Sequence, residues 1–245
     1  MRRMALSLFA ALWLATPAVA SACRDLRHDG QDYTVCEVVA GADLRLFHTA
    51  PDGQPFGNFA RVNRTLEGEG KQLVFAMNAG MYHPDLAPVG LLVEGGSTQA
   101  PLVTADGPGN FGLLPNGVFC VGEGRFAVVE TRAFAAAGQT CIYATQSGPM
   151  LVIGGKLHPR FLPNSDSRYV RNGVGVSADG TSAVFAISSR PVTFHQFARL
   201  FRDGLGLPDA LYFDGQISRL YAPGIGRNDW GFAMGPIVGL VGAGG

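Results

Sequence analysis

Glycine and proline cut this chain into short pieces. There are 34 glycines and 15 prolines in 245 residues, so no apolar run continues far before a turn-forming residue ends it. Short, β-branched and aromatic segments bounded by such residues read as strands rather than long helices. Strands are expected at Tyr33 to Val38, Asp43 to Thr49, Leu73 to Asn78, Val89 to Glu94, Gly117 to Val121 and Arg125 to Glu130. Further strands are expected at Cys141 to Gln146, Met150 to Ile153, Gly173 to Ser177, Ala183 to Ile187, Ala210 to Phe213 and Ile237 to Val241. Helical spacing is clearest where Phe194, Phe197, Ala198 and Phe201 share one face, with Thr193 and Gln196 as a capping box and Gly204 to Pro208 as the stop. A second helix is expected over Asn58 to Leu66. The segments at Ala183 to Ile187 and Ala210 to Phe213, with the helix between them, suggest a β-α-β unit with parallel pairing, while the other strands suit antiparallel pairing. The expected class is α+β, a single domain with a mixed, mostly antiparallel sheet and few helices. The glycine-rich end at Gly242 to Gly245 is expected to fray.

The first residues have a different character. Arg2 and Arg3 precede an apolar run from Ala5 to Ala15 and a small-residue stretch ending at Ala22, the order of a cleavable secretory signal. The expected organisation is a signal peptide over 1–22 and one domain over 23–245, exported to the periplasm or secreted, with no transmembrane segment in the mature chain. Cleavage after Ala22 would leave Cys23 first, which raises the alternative of a lipoprotein, although Ala20 stands where such signals usually carry a leucine-like residue. The four cysteines, an even number in an exported chain, suit disulfides, and nearness in sequence favours Cys23 with Cys36 and Cys120 with Cys141. Charge is balanced at 19 basic and 19 acidic residues, so no footprint for nucleic acid is present. No Cys-x-x-Cys, His-Glu-x-x-His or EF-hand pattern occurs. No metal site or cofactor is therefore expected, with a divalent cation at a phosphate left open.

Two apolar strands end abruptly in polar residues, the position where sites are commonly built. Leu73 to Met77 runs into Asn78-Ala79-Gly80-Met81-Tyr82-His83-Pro84-Asp85, and Leu211 to Phe213 runs into Asp214-Gly215-Gln216-Ile217-Ser218. Asp-Gly alone is more often a turn than a catalytic acid. Gln146-Ser147-Gly148-Pro149 and Arg171-Asn172-Gly173-Val174-Gly175 complete the set. Ser147 lacks the Gly-x-Ser-x-Gly surroundings of a serine hydrolase nucleophile.

Together with Pro88-Val89-Gly90-Leu91 and Asn116-Gly117-Val118-Phe119, these motifs occur in the order seen in the phosphodiester glycosidase family, which the chain resembles from Val74 to Val241. That family includes a lysosomal uncovering enzyme acting on phosphodiester-linked N-acetylglucosamine and small exported bacterial members. Gln216 stands where the better-studied members carry a second glycine, and the chain more closely resembles the bacterial branch, which shares the Gly80-Met81-Tyr82-His83 and Arg171-Asn172-Gly173-Val174-Gly175 forms. The resemblance implies hydrolysis of the sugar C–O bond of a glycosyl phosphodiester, or of another phosphate-containing glycan of the envelope. A phosphate monoester leaves readily as an anion, so such a site needs donors or a cation for phosphate and a carboxylate for the sugar carbon more than it needs a strong acid. Asp214 is then the expected nucleophile or base, Arg171 the phosphate-holding fork, and His83 an acid or base. Asn78, Tyr82, Ser147, Asn172 and Ser218 are expected substrate contacts, and Glu94 and Asp85 reserve carboxylates. Two other readings compete: a non-catalytic envelope protein that binds glycan in the same cleft, and a two-metal phosphodiesterase that cleaves P–O, for which the five histidines are too scattered.

Overall fold

A computed structural model describes residues 22–244. In chain order the elements begin with β1 (Cys23–His28), β2 (Gln31–Val39), β3 (Leu44–Phe47), α1 (Phe59–Glu67), β4 (Lys71–Asn78), β5 (Leu92–Glu94) and β6 (Ser97–Ala100). They continue with β7 (Gly117–Gly122), β8 (Arg125–Glu130), α2 (Thr131–Ala137), β9 (Tyr143–Ser147), β10 (Met150–Ile153), β11 (Lys156–Leu157) and β12 (Asn172–Val176). The last are β13 (Ser182–Ser188), α3 (Phe194–Arg199), β14 (Asp209–Asp214), β15 (Leu220–Ala222), β16 (Arg227–Asn228) and β17 (Ile237–Ala243).

These strands form three sheets, ordered β1-β2-β13-β12-β14-β10-β11, β16-β15-β4-β17-β3 and β6-β5-β9-β7-β8. One apolar core fills the space between them. It contains Phe75 of the second sheet, Phe119 and Phe126 of the third, and Phe185 and Phe213 of the first, with ring centroids 5.5 Å apart for Phe75 and Phe185 and 5.6 Å for Phe119 and Phe185. Alternation along each strand sends the neighbouring side chains to the opposite face, where one helix covers each sheet. Phe59, Val62 and Leu66 of α1 pack on the second sheet, Phe134 of α2 on the third, and Phe197 and Ala198 of α3 on the first.

The α+β class and the dominance of antiparallel pairing are as the sequence implies. Both expected helices form, capped by Asn58 and by the Thr193–Gln196 box, and a π-helical turn at Leu200–Gly204 carries the second one on. The expected parallel pairing does not form. β12 lies between β13 and β14 and pairs antiparallel with both, so α3 crosses over β12 to join two strands that run the same way without touching. Glycines allow this crossing. A Cβ at Gly175 would lie 2.7 Å from both Leu207 and Phe201, and one at Gly173 would lie 2.4 Å from the Leu211 carbonyl oxygen. The carboxyl end also differs from expectation, since Gly242 and Ala243 pair with Gln72 and Lys71 at the end of β17.

Cys23 is bonded to Cys36 across the β1–β2 pair, and Cys120 to Cys141. The Cys23 sulfur is thus engaged in a disulfide and is not available for the thioether-linked lipid of the lipoprotein alternative. The signal segment expected over 1–22 falls, apart from Ala22, outside the described residues. Among the described residues, no helix is long and apolar enough to cross a membrane.

Gly173→Ala should be the more damaging of the two small substitutions in β12, because backbone rather than a side chain would have to move. Overpacking of this kind costs about 1–3 kcal/mol, and each kcal/mol lowers Tm by about 2–4 °C at this size. A thermal melt showing Gly173→Ala as stable as the parent would contradict the close packing of β12 against β14.

Candidate active site

The ends of β4, β12 and β14 meet on one side of the molecule. Asn172 opens β12 directly opposite Asp214, which closes β14. Asn78, the last residue of β4, reaches Asn172 from the second sheet: its Nδ2 donates to Asn172 Oδ1 at 3.1 Å, and Asn172 Nδ2 donates back to the Asn78 carbonyl at 2.7 Å. Asn78 Oδ1 accepts the Arg219 backbone N–H at 3.0 Å. Ser218 Oγ lies 3.0 Å from the Val170 and Asp214 carbonyls and 3.2 Å from Asn172 Oδ1. Both asparagines are buried, so satisfying their amides within the protein avoids a desolvation cost of about 1–3 kcal/mol per orphaned group. Asn78, Asn172 and Ser218 therefore lock the strand ends together, and their polar groups are committed to one another and to backbone.

Beside this lock lies a cleft of about 520 Å³ lined by Met81, Tyr82, Val89, Phe111, Tyr169 and Tyr212, with Asp214 to Ile217 along one wall. Asp214 is the carboxylate among its described lining residues. Its Oδ1 accepts the backbone N–H groups of Gly215 at 2.6 Å and Gln216 at 3.0 Å, a turn that fixes the side chain at the strand end. Burial raises its pKa above the ordinary carboxylate range, and these backbone donors only partly offset the shift. Tyr82 contributes its ring, donates its hydroxyl to the Ala233 carbonyl at 3.2 Å, and has its pKa pushed up to about 12, chiefly by burial.

The remaining motifs frame the cleft. Ser147 is buried and donates to the Phe213 carbonyl at 2.9 Å, so it steadies the residue before Asp214. Gln146 Oε1 accepts from the backbone of Leu91 and Val103, and its Nε2 donates to the Val103 carbonyl, which ties the loop after β6 to β9. Asn116 Nδ2 donates to the Phe111 carbonyl at 2.8 Å. Gly90 is needed because a Cβ there would sit 2.7 Å from the Phe111 ring.

Arg171 is placed differently from the expectation of a phosphate fork. It is 0% exposed, with its guanidinium 3.6 Å from the centroid of Phe194 and about as close to Tyr169 as to Tyr212, at 5.4 and 5.3 Å. Its Nε donates to the Val192 carbonyl and its Nη2 to that of Ser167. The cation thus stands behind the tyrosine wall, fastening it, and is not at the cleft surface. Burial lowers its pKa, but a guanidinium stays charged in a neutral solution. His83 is exposed on the loop after β4 and is not among the cleft residues, because its backbone closes a turn with Leu86 and Ala87. Of the reserve carboxylates, Asp85 caps the same turn, and Glu94 accepts from the His48 and Thr49 backbone. Among the described residues, no group of three His, Cys, Asp or Glu side chains is arranged to hold a metal ion.

Sequence reasoning passed over Arg219, which follows Ser218 directly and is only 8% exposed. Its guanidinium makes no hydrogen bond or ion pair among the described residues. The available signal was its place: the motif Asp-Gly-Gln-Ile-Ser ends on a charged residue that runs straight into the buried Leu220 of β15.

Asn78→Asp replaces the donor aimed at Asn172 Oδ1 with an acceptor at the same place. Loss of roughly 2–3 kcal/mol is expected, read as a Tm about 4–12 °C below the parent at neutral pH. An unchanged Tm would mean that the two amides do not bear on each other.

The family model for phosphodiester glycosidase matches residues 71–230. Among curated proteins, the uncharacterized protein YigE of Escherichia coli (strain K12) is 35% identical over 181 residues, covering 74% of this chain and 70% of that one. The fold is similar to the catalytic domain of zebrafish N-acetylglucosamine-1-phosphodiester alpha-N-acetylglucosaminidase, auto-inhibited by its pro-peptide, with a TM-score of 0.60 and 11% identity over 91% of this chain and 84% of that one. The chain belongs to the phosphodiester glycosidase family and is a hydrolase of that type.

Proposed function

We propose that the protein is an exported glycosidase that hydrolyses the sugar C–O bond of a glycosyl phosphodiester in an envelope or extracellular glycan. The observation that carries this reading is Asp214: a carboxylate fixed at a strand end, facing a cleft of sugar size, with its basicity raised by burial. Family membership supplies the bond.

A carboxylate of raised pKa is suited to take a proton from water as that water attacks the anomeric carbon. The electrons of the C–O bond leave with the phosphate monoester, which is stable as an anion without protonation. A cleft with one carboxylate can therefore serve where ordinary glycoside hydrolysis uses two. The tyrosines and Phe111 supply apolar surface for the sugar, and displacement by water in a single step inverts the anomeric centre. In this scheme Arg171 fastens the Tyr169 and Tyr212 rings, and Asn78, Asn172, Ser147 and Ser218 hold Asp214 and its turn in place. His83, on its exposed loop, has no step assigned to it. Disulfides at Cys23–Cys36 and Cys120–Cys141 support an oxidising compartment, with residues 1–22 as the leader and 23–245 as the domain.

The test follows the methyl phosphodiester of α-linked N-acetylglucosamine 1-phosphate by NMR, with further glycosyl phosphodiesters in parallel. Asp214→Asn should lower kcat by about 10²–10⁴, the usual worth of a positioned base, while substrate is still bound. The acid limb of the kcat profile in the parent should lie above the ordinary carboxylate range. Retained turnover in Asp214→Asn would overturn the assignment, and binding without turnover by the parent across the whole panel would favour the glycan-binding alternative.

A linked stability effect is expected. Because burial raises the folded-state pKa of Asp214, its charged form disfavours folding once the pH exceeds the unfolded pKa. Asp214→Asn should therefore melt higher than the parent at neutral pH, by about 2–4 °C per kcal/mol relieved. The gap should close as the pH falls below the ordinary carboxylate range. A lower Tm at pH 7 would show that Asp214 stabilises the fold instead.

A further inference from the structure

We infer that a second groove, which adjoins the Asp214 cleft along the shared Gly215–Ile217 segment, binds a phosphate group at Arg219 and an apolar-faced aglycone at Trp230 and Phe232. The groove measures about 650 Å³, and its lining includes Ser218, Arg219, Asp229, Trp230 and Phe232 together with the shared segment Gly215 to Ile217.

Arg219 is the reason to expect an anion. Other partly buried arginines have acidic partners: Arg45 has Asp43 and Glu69, and Arg227 has Asp229. Arg219, 8% exposed, has none among the described residues. The nearby Asp229 carboxylate is already taken by Arg227 Nη2 and the Leu220 backbone N–H, both at 2.9 Å. Removing a guanidinium from water without giving its donors acceptors is costly, and a bound oxyanion would supply them through the planar fork. Space for the head group is kept open from both sides. The Asn78 side chain holds the Arg219 backbone, and position 231 is a glycine whose added Cβ would fall 2.8 Å from Arg219 Nη2.

The second independent feature is the aromatic pair. Trp230 is 91% and Phe232 82% exposed, on either side of Gly231, which has φ 142°. Large aromatic rings left in water at the rim of a groove mark a contact surface, and flat rings of this kind suit the apolar face of a sugar or a comparable leaving group. Gly215 to Ile217 borders both spaces, and Tyr82 of the Asp214 cleft lies close enough to act electrostatically on both Asp214 and Arg219, so a phosphate at Arg219 would stand directly beside the sugar where the two spaces adjoin, with its aglycone directed towards Trp230. Naming the ligand as the phosphate end of a glycosyl phosphodiester rests on the proposed function, whereas the anion site itself rests on Arg219 alone.

The purified chain is titrated with methyl phosphate and, as the Asp214→Asn variant, with the methyl phosphodiester of N-acetylglucosamine 1-phosphate. Affinity is read by ³¹P NMR and the site is located by the emission of Trp230, the single tryptophan of residues 23–245, with Trp230→Phe as the control. Saturable binding of methyl phosphate that perturbs Trp230 is expected, at least about tenfold weaker in Arg219→Gln, with acetate binding more weakly than phosphate. Methyl phosphate affinity unchanged in a folded Arg219→Gln, or a silent Trp230, overturns the site. If Arg219→Gln folds poorly, Arg219→Lys keeps the charge without the fork and should still bind severalfold more weakly, and unchanged affinity there also overturns it. Trp230→Ala with Phe232→Ala, both at exposed positions, should weaken a diester of N-acetylglucosamine 1-phosphate whose second ester group is a hexose, measured in the Asp214→Asn background, but not methyl phosphate, and an unchanged affinity for that hexosyl diester removes the aglycone contact. Arg219-dependent phosphate binding in a protein that turns over no diester would leave the groove standing and the proposed function rejected. Turnover with an unaltered KM in Arg219→Gln would do the reverse.

Discussion

The candidate site depends on two buried asparagines that bond to each other across two sheets, the Asn172 side chain engaging both the side chain and the backbone carbonyl of Asn78. β4 belongs to one sheet and β12 to another, and their ends are joined by the Asn78–Asn172 amide pair, at 3.1 and 2.7 Å. Inside a low-dielectric core such a pair is strong when complete and costly when broken, so it admits one arrangement of the strand ends. Asp214 sits opposite Asn172, and the Arg219 backbone hangs from Asn78. The carboxylate on one wall and the unpaired cation beyond it are therefore positioned by the same lock.

Burial sorts the charges of this region into three kinds. Arg171 is fully enclosed and stacked on Phe194, with Nε and Nη2 donating to carbonyls and Nη1 left without an acceptor, so its charge goes into holding the tyrosine wall. Asp214 is partly enclosed and bonded only by backbone N–H groups, which leaves it more basic than a surface carboxylate. Arg219 is nearly enclosed and feels Tyr82 and Asp229 only at a distance, with no hydrogen bond or salt bridge from its guanidinium among the described residues, so ligand acceptors would improve its state. That separation suits the proposed reaction, whose leaving group already bears its charge. Basic help belongs at the sugar carbon and positive charge at the phosphate, with no strong acid between them.

Much of this was legible in the sequence. Apolar strands ending in Asn78 and Asp214 marked strand ends that the fold brings together beside a cleft, and the Thr193 capping box and the phenylalanine spacing marked α3. The alternation of glycine and valine in β12 showed a glycine-rich strand, but not that α3 would cross above it, because parallel direction and parallel pairing look alike in a sequence. Roles were harder to read than places. Arg171 and Arg219 both adjoin glycine-rich motifs, and only the packing of Phe194, Tyr169 and Tyr212 decides that Arg219 and not Arg171 lines a groove. Asn78, Ser147 and Ser218 looked like ligand contacts, yet their hydrogen bonds are spent on the framework, as is common for polar residues once a strand end is buried. His83 had the right chemistry on the wrong side of a turn. α2 and β15 were missed because Thr131 to Ala137 is short and Leu220 to Ala222 is shorter still.

The most direct test of the chemistry is hydrolysis of a methyl glycosyl phosphodiester in ¹⁸O-enriched water, with the methyl phosphate product analysed by mass spectrometry. Attack at the sugar carbon beside Asp214 predicts methyl phosphate free of label. Label in the phosphate would mean that water attacks phosphorus, and would contradict cleavage of the sugar C–O bond.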